Sequence, residues 1–228
     1  MEIVPGIHWI QGIIGNVYVH GDAELTLIDT GMAKNAKKIL KYIETTMHRL
    51  LADVKTIVIT HADMDHVGNL AAMKNVTGAI VTSHSIEAEY VAGRRIKSTA
   101  KLPFLLKLMR PLMKGMMNFP RVEVDRTLEQ DDIIGRLQVL FTPGHSPGSI
   151  ALYDPVRKAL FSGDTILTDR KGNVFGPRNR FTPDINQAWQ SAESLKVLDV
   201  EVLLPGHGTP LTENVKEKLQ ALSKPGAK

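Results

Sequence analysis

The sequence predicts an α/β fold with sheets inside and helices outside. Three observations predict it. Short runs rich in Val, Ile, Leu and aromatic residues alternate with stretches whose apolar residues recur at helical spacing, and the alternation occurs twice along the chain. Many of the apolar runs end in Gly, Pro or Asp, residues that turn a chain sharply. No heptad, fixed-period repeat, low-complexity tract or linker breaks the pattern, so residues 1–228 read as one domain.

The elements follow in order. "HWIQG" (8–12), "NVYVHG" (16–21) and "ELTLIDTG" (24–31) read as strands closed by turn residues. Residues 33–51 carry Ile39, Leu40, Ile43, Met47 and Leu50 at helical spacing with lysines opposite, which predicts an amphipathic helix. "VKTIVITH" (54–61) is a buried-type strand that delivers His61 at its end. "VGNLAAMKNVTG" (67–78) is a helix closing at Gly78, "AIVTS" (79–83) a strand, and a helix starts at Ser85. The second half returns to strands at "VEVDRTL" (122–128), "LQVLFTPGH" (137–145), "SIALYDP" (149–155) and "KALFSGD" (158–164). A helix over 184–198, the strand "VEVLLPGH" (200–207) and a helix over 212–223 complete the chain.

Residues 94–120 depart from this rhythm. Arg94, Arg95, Lys97, Lys101, Lys107, Arg110 and Lys114 stand there with no acidic residue among them. Lys107, Arg110 and Lys114 fall on one helical face, the rest is mainly Leu, Met and Phe, and Pro111 predicts a kink. Met109, Met113, Met116 and Met117 suit an adaptable apolar surface. The insertion reads as a lid or a homodimer contact rather than a membrane face, because three basic residues on one face are few.

Composition removes several function classes. The formal net charge of +4 bears on solubility and by itself makes no nucleic-acid binder. The chain has no cysteine, so a disulfide or thiolate nucleophile is excluded and a metal must be held by His, Asp or Glu. "MEIVPGIHWIQG" lacks the basic and apolar regions of a secretory signal, and no uncharged apolar run is long enough to span a bilayer. The expected location is cytoplasmic, and the expected partner a small-molecule substrate rather than nucleic acid or membrane.

Metal-competent side chains gather just past four strands. "THADMDHVGN" (60–69) packs His61, Asp63, Asp65 and His66 into six positions after "KTIVIT". His145 follows "LQVLFTPG", Asp164 follows "KALFSG" and His207 follows "VEVLLPG". Strand ends of a shared sheet converge, so these turns point to one concave site. A single such residue is more often a cap or a satisfied turn residue. Six at matching turns, His61, Asp65, His66, His145, Asp164 and His207, are not. Imidazole suits zinc and iron, and a carboxylate neutralises charge and can bridge two cations. His8, His20 and His48 have no such setting, and His84, though just past a strand, is left outside the site.

On "LIDTG" (27–31), "THADMDHVGN" (60–69), "TPGHSPGS" (142–149), "FSGDT" (161–165) and "LPGHG" (204–208), the chain resembles a metallo-β-lactamase-fold hydrolase. These segments occur in the family's order across nearly the whole chain. The resemblance implies a four-layered αββα sandwich holding two divalent metal ions and a bridging hydroxide. It matches His61, Asp63 and His145 to the first metal, Asp65, His66 and His207 to the second, and Asp164 to the bridge. Asp29 matches a carboxylate behind the ligands at the site floor. Asp65 is the expected acid for the leaving group, with a metal-bound water as the alternative.

The family's usual pattern has His where this chain has Asp63. Asp63 is read as a ligand. The ions are expected to be zinc, with iron or manganese admitted by the additional carboxylate. The alternative has Asp63 only bonding a metal-bound water. On the substrate side, "RKGNVFGPRNRF" (170–181) reads as a loop, with Phe175, Arg178 and Arg180 as candidate contacts for an acidic or ester substrate.

The expected activity is hydrolysis of a small ester, thioester, lactone or phosphoester. A diiron redox domain of the flavodiiron kind is an alternative motivated by Asp63. An RNA-processing nuclease of the same fold is another, motivated by the basic segment and opposed by the scarcity of aromatic residues for base stacking. A non-catalytic binding member conflicts with the intact ligand set.

Overall fold

The computed structural model describes residues 1–21, 23–95 and 120–224. The helix, kink and basic face expected within 96–119 lie outside the described residues. Contacts divide the chain into two units, Met1–Thr127 and Leu128–Lys228.

The first unit carries a seven-stranded sheet in sequential order: β1 (Glu2–Val4), β2 (Ile7–Trp9), β3 (Tyr18–Gly21), β4 (Leu25–Ile28), β5 (Val54–Ile59), β6 (Ile80–His84) and β7 (Arg126–Leu128). Strands β1 to β4 are antiparallel neighbours, whereas β4, β5 and β6 run parallel. Parallel neighbours need crossovers. Helix α1 (Ala36–Lys41) lies in the first, and α2 (Met64–Val67) and α3 (Leu70–Thr77) lie in the second. Helix α4 (Ser85–Val91) follows β6. Ile28↔Val58 and Ile59↔Ser83 are paired, so Asp29, His61 and His84 emerge at one edge of the sheet. The C-terminal edge of parallel strands is where α/β sheets bind ligands.

Both faces of this sheet are buried. Val19, Leu25, Leu27, Ile57, Ile59 and Val81 pack with Ile39, Leu70, Met73 and Val91 of the helices. Tyr18, His20, Thr26, Ile28, Val58 and Thr82 are buried as well. Alternation along each strand sends these two sets to opposite faces.

The second unit carries a five-stranded sheet: β8 (Ile133–Ile134), β9 (Leu137–Phe141), β10 (Ile150–Asp154), β11 (Ala159–Gly163) and β14 (Val202–Pro205), in the order β14-β11-β10-β9-β8. A small hairpin, β12 (Leu167–Thr168) with β13 (Val174–Phe175), follows β11. Helix α5 (Ile185–Leu195) precedes β14, and α6 (Val215–Ala221) follows it. Trp189, Ala192 and Leu195 of α5 and Val215 and Leu219 of α6 cover Ala151, Tyr153, Leu160 and Leu203. The parallel pair Phe161↔Leu204 aligns the ends of β11 and β14. The antiparallel pairs Ile150↔Phe141 and Leu152↔Phe161 bring the end of β9 to the same edge. His145, Asp164 and His207 therefore leave one edge of one sheet.

Three elements differ from expectation. The helix expected over 33–51 stops at Lys41, and Tyr42–Thr46 forms a wider π turn. Thr45 Oγ1 donates to the Lys41 carbonyl at 2.7 Å, a back-bond that competes with the helical ladder. His48 then leaves in the left-handed region, φ 53°. Of the strand expected over 122–128, only Arg126–Leu128 is regular, because the Asp125 carboxylate takes the Val81 N–H at 2.8 Å. The loop expected over 170–181 contains β13 and a short 3₁₀ turn, Asn179–Phe181.

Among the described residues, no helix is long and apolar enough to cross a membrane.

Candidate metal centre

In the first unit, the site is built from one buried carboxylate outward. Asp29 follows β4, is 2% exposed and sits at φ 56°. Left-handed backbone is costly for a residue other than Gly, although Asp tolerates it better than most. Its Oδ1 accepts from Thr60 N at 2.8 Å. Its Oδ2 lies 2.7 Å from Thr60 Oγ1 and 2.8 Å from His66 Nδ1. A carboxylate here only accepts, so His66 carries its proton on Nδ1 and presents the Nε2 lone pair. Thr60 spends its single hydroxyl proton on Asp29. Its oxygen therefore accepts from His61 Nδ1 at 3.0 Å, and His61 too presents Nε2. One buried carboxylate thus sets the tautomer of two histidines, whose ring centroids lie 4.0 Å apart with the planes tilted by 46°.

The loop carrying Asp29 is clamped to helix α2, which carries His66. Thr30 N and Oγ1 both donate to the His66 carbonyl, at 2.7 and 2.8 Å. Asn69 Nδ2 donates to the carbonyls of Thr30 and Met32, at 2.6 and 2.7 Å. A Cβ at Gly68 would stand 2.3 Å from Ala33 N, and one at Gly15 would stand 1.8 Å from the Asp65 carbonyl oxygen. Only glycine permits these approaches. Burial pushes the neighbouring Tyr18 phenol well above its ordinary pKa; Asn16, donating to its oxygen, opposes the rise and the charge of Asp29 adds to it. Tyr18 stays protonated at neutral pH.

Asp63 occupies the N-cap position of α2, where an Asp side chain ordinarily accepts from the first turn. It makes no such cap bond. Its Oδ2 lies instead 3.5 Å from His61 Nε2. Asp65 and His66 offer ligand atoms within 4.8 Å of each other.

In the second unit, His145 stands in the turn after β9. Gly144, at φ 128°, lets the turn approach α5: a Cβ there would lie 2.2 Å from Ala188 N. Ser191 Oγ donates to the Pro143 carbonyl at 2.7 Å, tying the turn to the helix. Asp164 Oδ2 lies 3.5 Å from His145 Nε2 and 3.5 Å from His207 Nε2. A Cβ at Gly206 would stand 2.3 Å from Asp164 Oδ1, so this glycine makes room for the carboxylate.

These separations test the fit of a metal. Two donors about 2.0–2.2 Å from one zinc ion at the tetrahedral angle stand about 3.3–3.6 Å apart. The pairs His61–Asp63, His145–Asp164 and His207–Asp164, each at 3.5 Å, fall in that range and are too long for good hydrogen bonds. The residues fit the group.

Each unit therefore gathers its own expected ligands: His61, Asp63, Asp65 and His66 in the first, with Asp29 behind them, and His145, Asp164 and His207 in the second. On the substrate side, Leu167↔Phe175 pairs the hairpin within a few residues of Asp164. Thr168 N donates to the His207 carbonyl at 3.3 Å. Phe175, Arg178 and Arg180 are exposed, and the Arg180 guanidinium lies over the Phe181 ring. Thr60, Gly15, Gly206 and Glu87 were not expected. Thr60 had a signal, a hydroxyl next to the first ligand. Glu87 had one too, an acid on a helix face otherwise bearing Ala88 and Val91. The glycines had none beyond their type.

The family profile of the metallo-beta-lactamase superfamily matches residues 11–207, and the chain belongs to that family. It is 30% identical over 249 residues to "Probable metallo-hydrolase YflN" of Bacillus subtilis (strain 168), covering 97% of this chain and 91% of that one. It is 28% identical to the human "Acyl-coenzyme A thioesterase MBLAC2" (89% and 78% covered). It is 25% identical to "Hydroxyacylglutathione hydrolase GloC" of Haemophilus influenzae (93% and 92% covered). Among solved structures, the di-iron-bound form of TTHA1623 superposes with a TM-score of 0.68 at 26% identity, covering 93% and 97%. The fold is that of the metallo-β-lactamases, and the class these findings define is a metallo-hydrolase.

Proposed function

We propose that the two ligand clusters join into one dinuclear centre within a single domain. His61, Asp63 and His145 would hold one ion, Asp65, His66 and His207 the other, and Asp164 would bridge them. The observation that carries this reading is Asp164 Oδ2, set 3.5 Å from each of two imidazoles. When bound, divalent ions of this kind supply a hydroxide nucleophile near neutral pH and polarise the bond under attack.

The chain's own residues do the rest. Asp29 and Thr60 hold His61 and His66 in the tautomer that leaves Nε2 to bind. Asp65 lies beside His66 and would pass a proton to the departing group. Zinc is the proposed metal, and Asp63 admits iron or manganese.

The proposed substrate is a small anionic thioester, with simple esters, lactones and phosphoesters as the neighbouring cases. One relative named as an acyl-coenzyme A thioesterase and one named as a hydroxyacylglutathione hydrolase support the thioester. The β13 loop supports the anion. Arg170, Lys171, Arg178 and Arg180 stand on it, and among the described residues none of their side chains meets a carboxylate within ion-pair distance. The flanking carboxylates serve the backbone: Asp169 accepts from Lys171 N and Asn173 N, and Asp184 from Gln187 N.

The test is a panel of thioesters on charged and neutral carrier thiols, with esters, lactones and phosphoesters beside it. Hydrolysis of the charged thioester should exceed that of its neutral counterpart, and Arg178→Glu with Arg180→Glu should raise KM for the charged one alone. Equal rates on both carriers would remove the anionic class. A second reading, redox chemistry at two irons, is favoured by Asp63 and by the di-iron neighbour. Native iron with electron uptake and no hydrolysis would select it.

A further inference from the structure

We propose that Glu87 is a positioning residue for the metal ligands of the first unit. It holds the backbone between His61 and Asp63 so that the Asp63 carboxylate stays within ligand distance of His61 Nε2. The proposal rests on the metal centre described above.

Glu87 is fully buried in α4, and its Oε2 accepts from Ala62 N at 2.7 Å. Ala62 is the one residue between His61 and Asp63. Glutamate is almost never fully buried without specific partners, because the charged form loses its hydration. Its neighbour Glu89 shows the ordinary case, half-buried and paired with Arg94. The acceptor is anchored from both sides. Strand β6 is bonded to β5 through Ile59↔Ser83, and His84 Nδ1 caps α4 by accepting from Ile86 N at 3.2 Å. The path from the sheet to the ligand loop is therefore short: β6, the cap, the first turn of α4, Glu87, Ala62.

Asp63 is the ligand that needs such a clamp. Its carboxyl group is one methylene from the backbone, so it has little reach to compensate for movement of the loop. A shift of the Ala62 peptide passes almost undiminished to Asp63 Oδ2, now 3.5 Å from His61 Nε2.

The test uses the full chain stripped of metal, reloaded with zinc against a chromophoric chelator, with thermal unfolding of the apo-protein alongside. Loss of a group that orients metal ligands weakens binding by about 10–100-fold. Glu87→Ala should show a loss of that size. Glu87→Gln, which keeps an acceptor at the same place, should bind close to wild type, and Glu87→Asp, one methylene short, should not. In an Asp63→Asn background the loss from Glu87→Ala should shrink. Wild-type zinc affinity in Glu87→Ala, or a loss of equal size in both backgrounds, would overturn the proposal. If Glu87→Ala does not fold, the contrast between Gln and Asp at position 87 decides. A wild-type chain that takes up no metal overturns the centre itself, an outcome distinct from failure of the clamp.

Discussion

Asp29→Asn changes one atom at the hub of the first ligand cluster. The wild-type carboxylate receives three donors: Thr60 N, Thr60 Oγ1 and His66 Nδ1, at 2.8, 2.7 and 2.8 Å. An amide offers one acceptor oxygen and one N–H₂ group. If the oxygen faces Thr60 Oγ1 and His66, the amide nitrogen confronts Thr60 N–H, and a buried donor goes unmet at a cost of about 1–3 kcal/mol. If the amide turns over, His66 must accept on Nδ1 and carry its proton on Nε2, which removes the lone pair a metal needs. The first arrangement leaves His66 a neutral partner that no longer raises its basicity, and the second removes its lone pair, so both should weaken metal binding by about 10–100-fold, equivalent to about 1.4–2.8 kcal/mol. The apo-protein should unfold about 2–10 °C lower. Backbone strain is not the reason, because Asn also tolerates the left-handed φ of 56°. Chelator competition on the metal-free chain, with a melting curve, measures both effects. An Asp29→Asn variant that binds zinc as tightly as wild type with an unchanged Tm would refute the tautomer reasoning.

Thr60→Val should cost less metal affinity than Asp29→Asn, since it frees His61 but leaves the 2.8 Å bond to His66; the same competition assay ranks the two. Gly206→Ala should weaken metal binding while leaving the circular dichroism spectrum intact, because its Cβ would meet Asp164 Oδ1 at 2.3 Å. Asp125 carries a pH dependence. Burial opposes it, but the Lys74 ammonium and the Val81 N–H hold its carboxyl below the usual value. A depressed pKa gives stability that is present above the unfolded value and lost as pH falls through the folded one. The Tm gap between wild type and Asp125→Asn should therefore be full at pH 7 and close below about pH 4.

The strand-and-helix order was legible because β5, β9, β10 and β11 are strongly apolar and end in turn residues. The candidate ligands were legible because they lie just past the ends of β5, β9, β11 and β14. What escaped the sequence depended on contacts between distant segments. The shortening of α1 follows from Thr45 bonding Lys41, which helical periodicity does not register. The short β1 and β8 strands and the β12–β13 hairpin have too few residues to show a period. That Asp63 turns to His61 rather than capping α2 could not be read from spacing, since Asp is a favoured N-cap. The Asp29–Thr60–His61 chain joins residues far apart in sequence, and only the parallel register of β4 with β5 brings it together.

The central claim is a centre of two ions in which Asp63 and Asp164 are ligands. Elemental mass spectrometry of the purified wild type, Asp63→Asn and Asp164→Asn tests it most directly. Two ions per wild-type chain, with fewer in both variants, is the predicted result. One ion per chain, unchanged by Asp63→Asn, would contradict it and reduce Asp63 to a bystander.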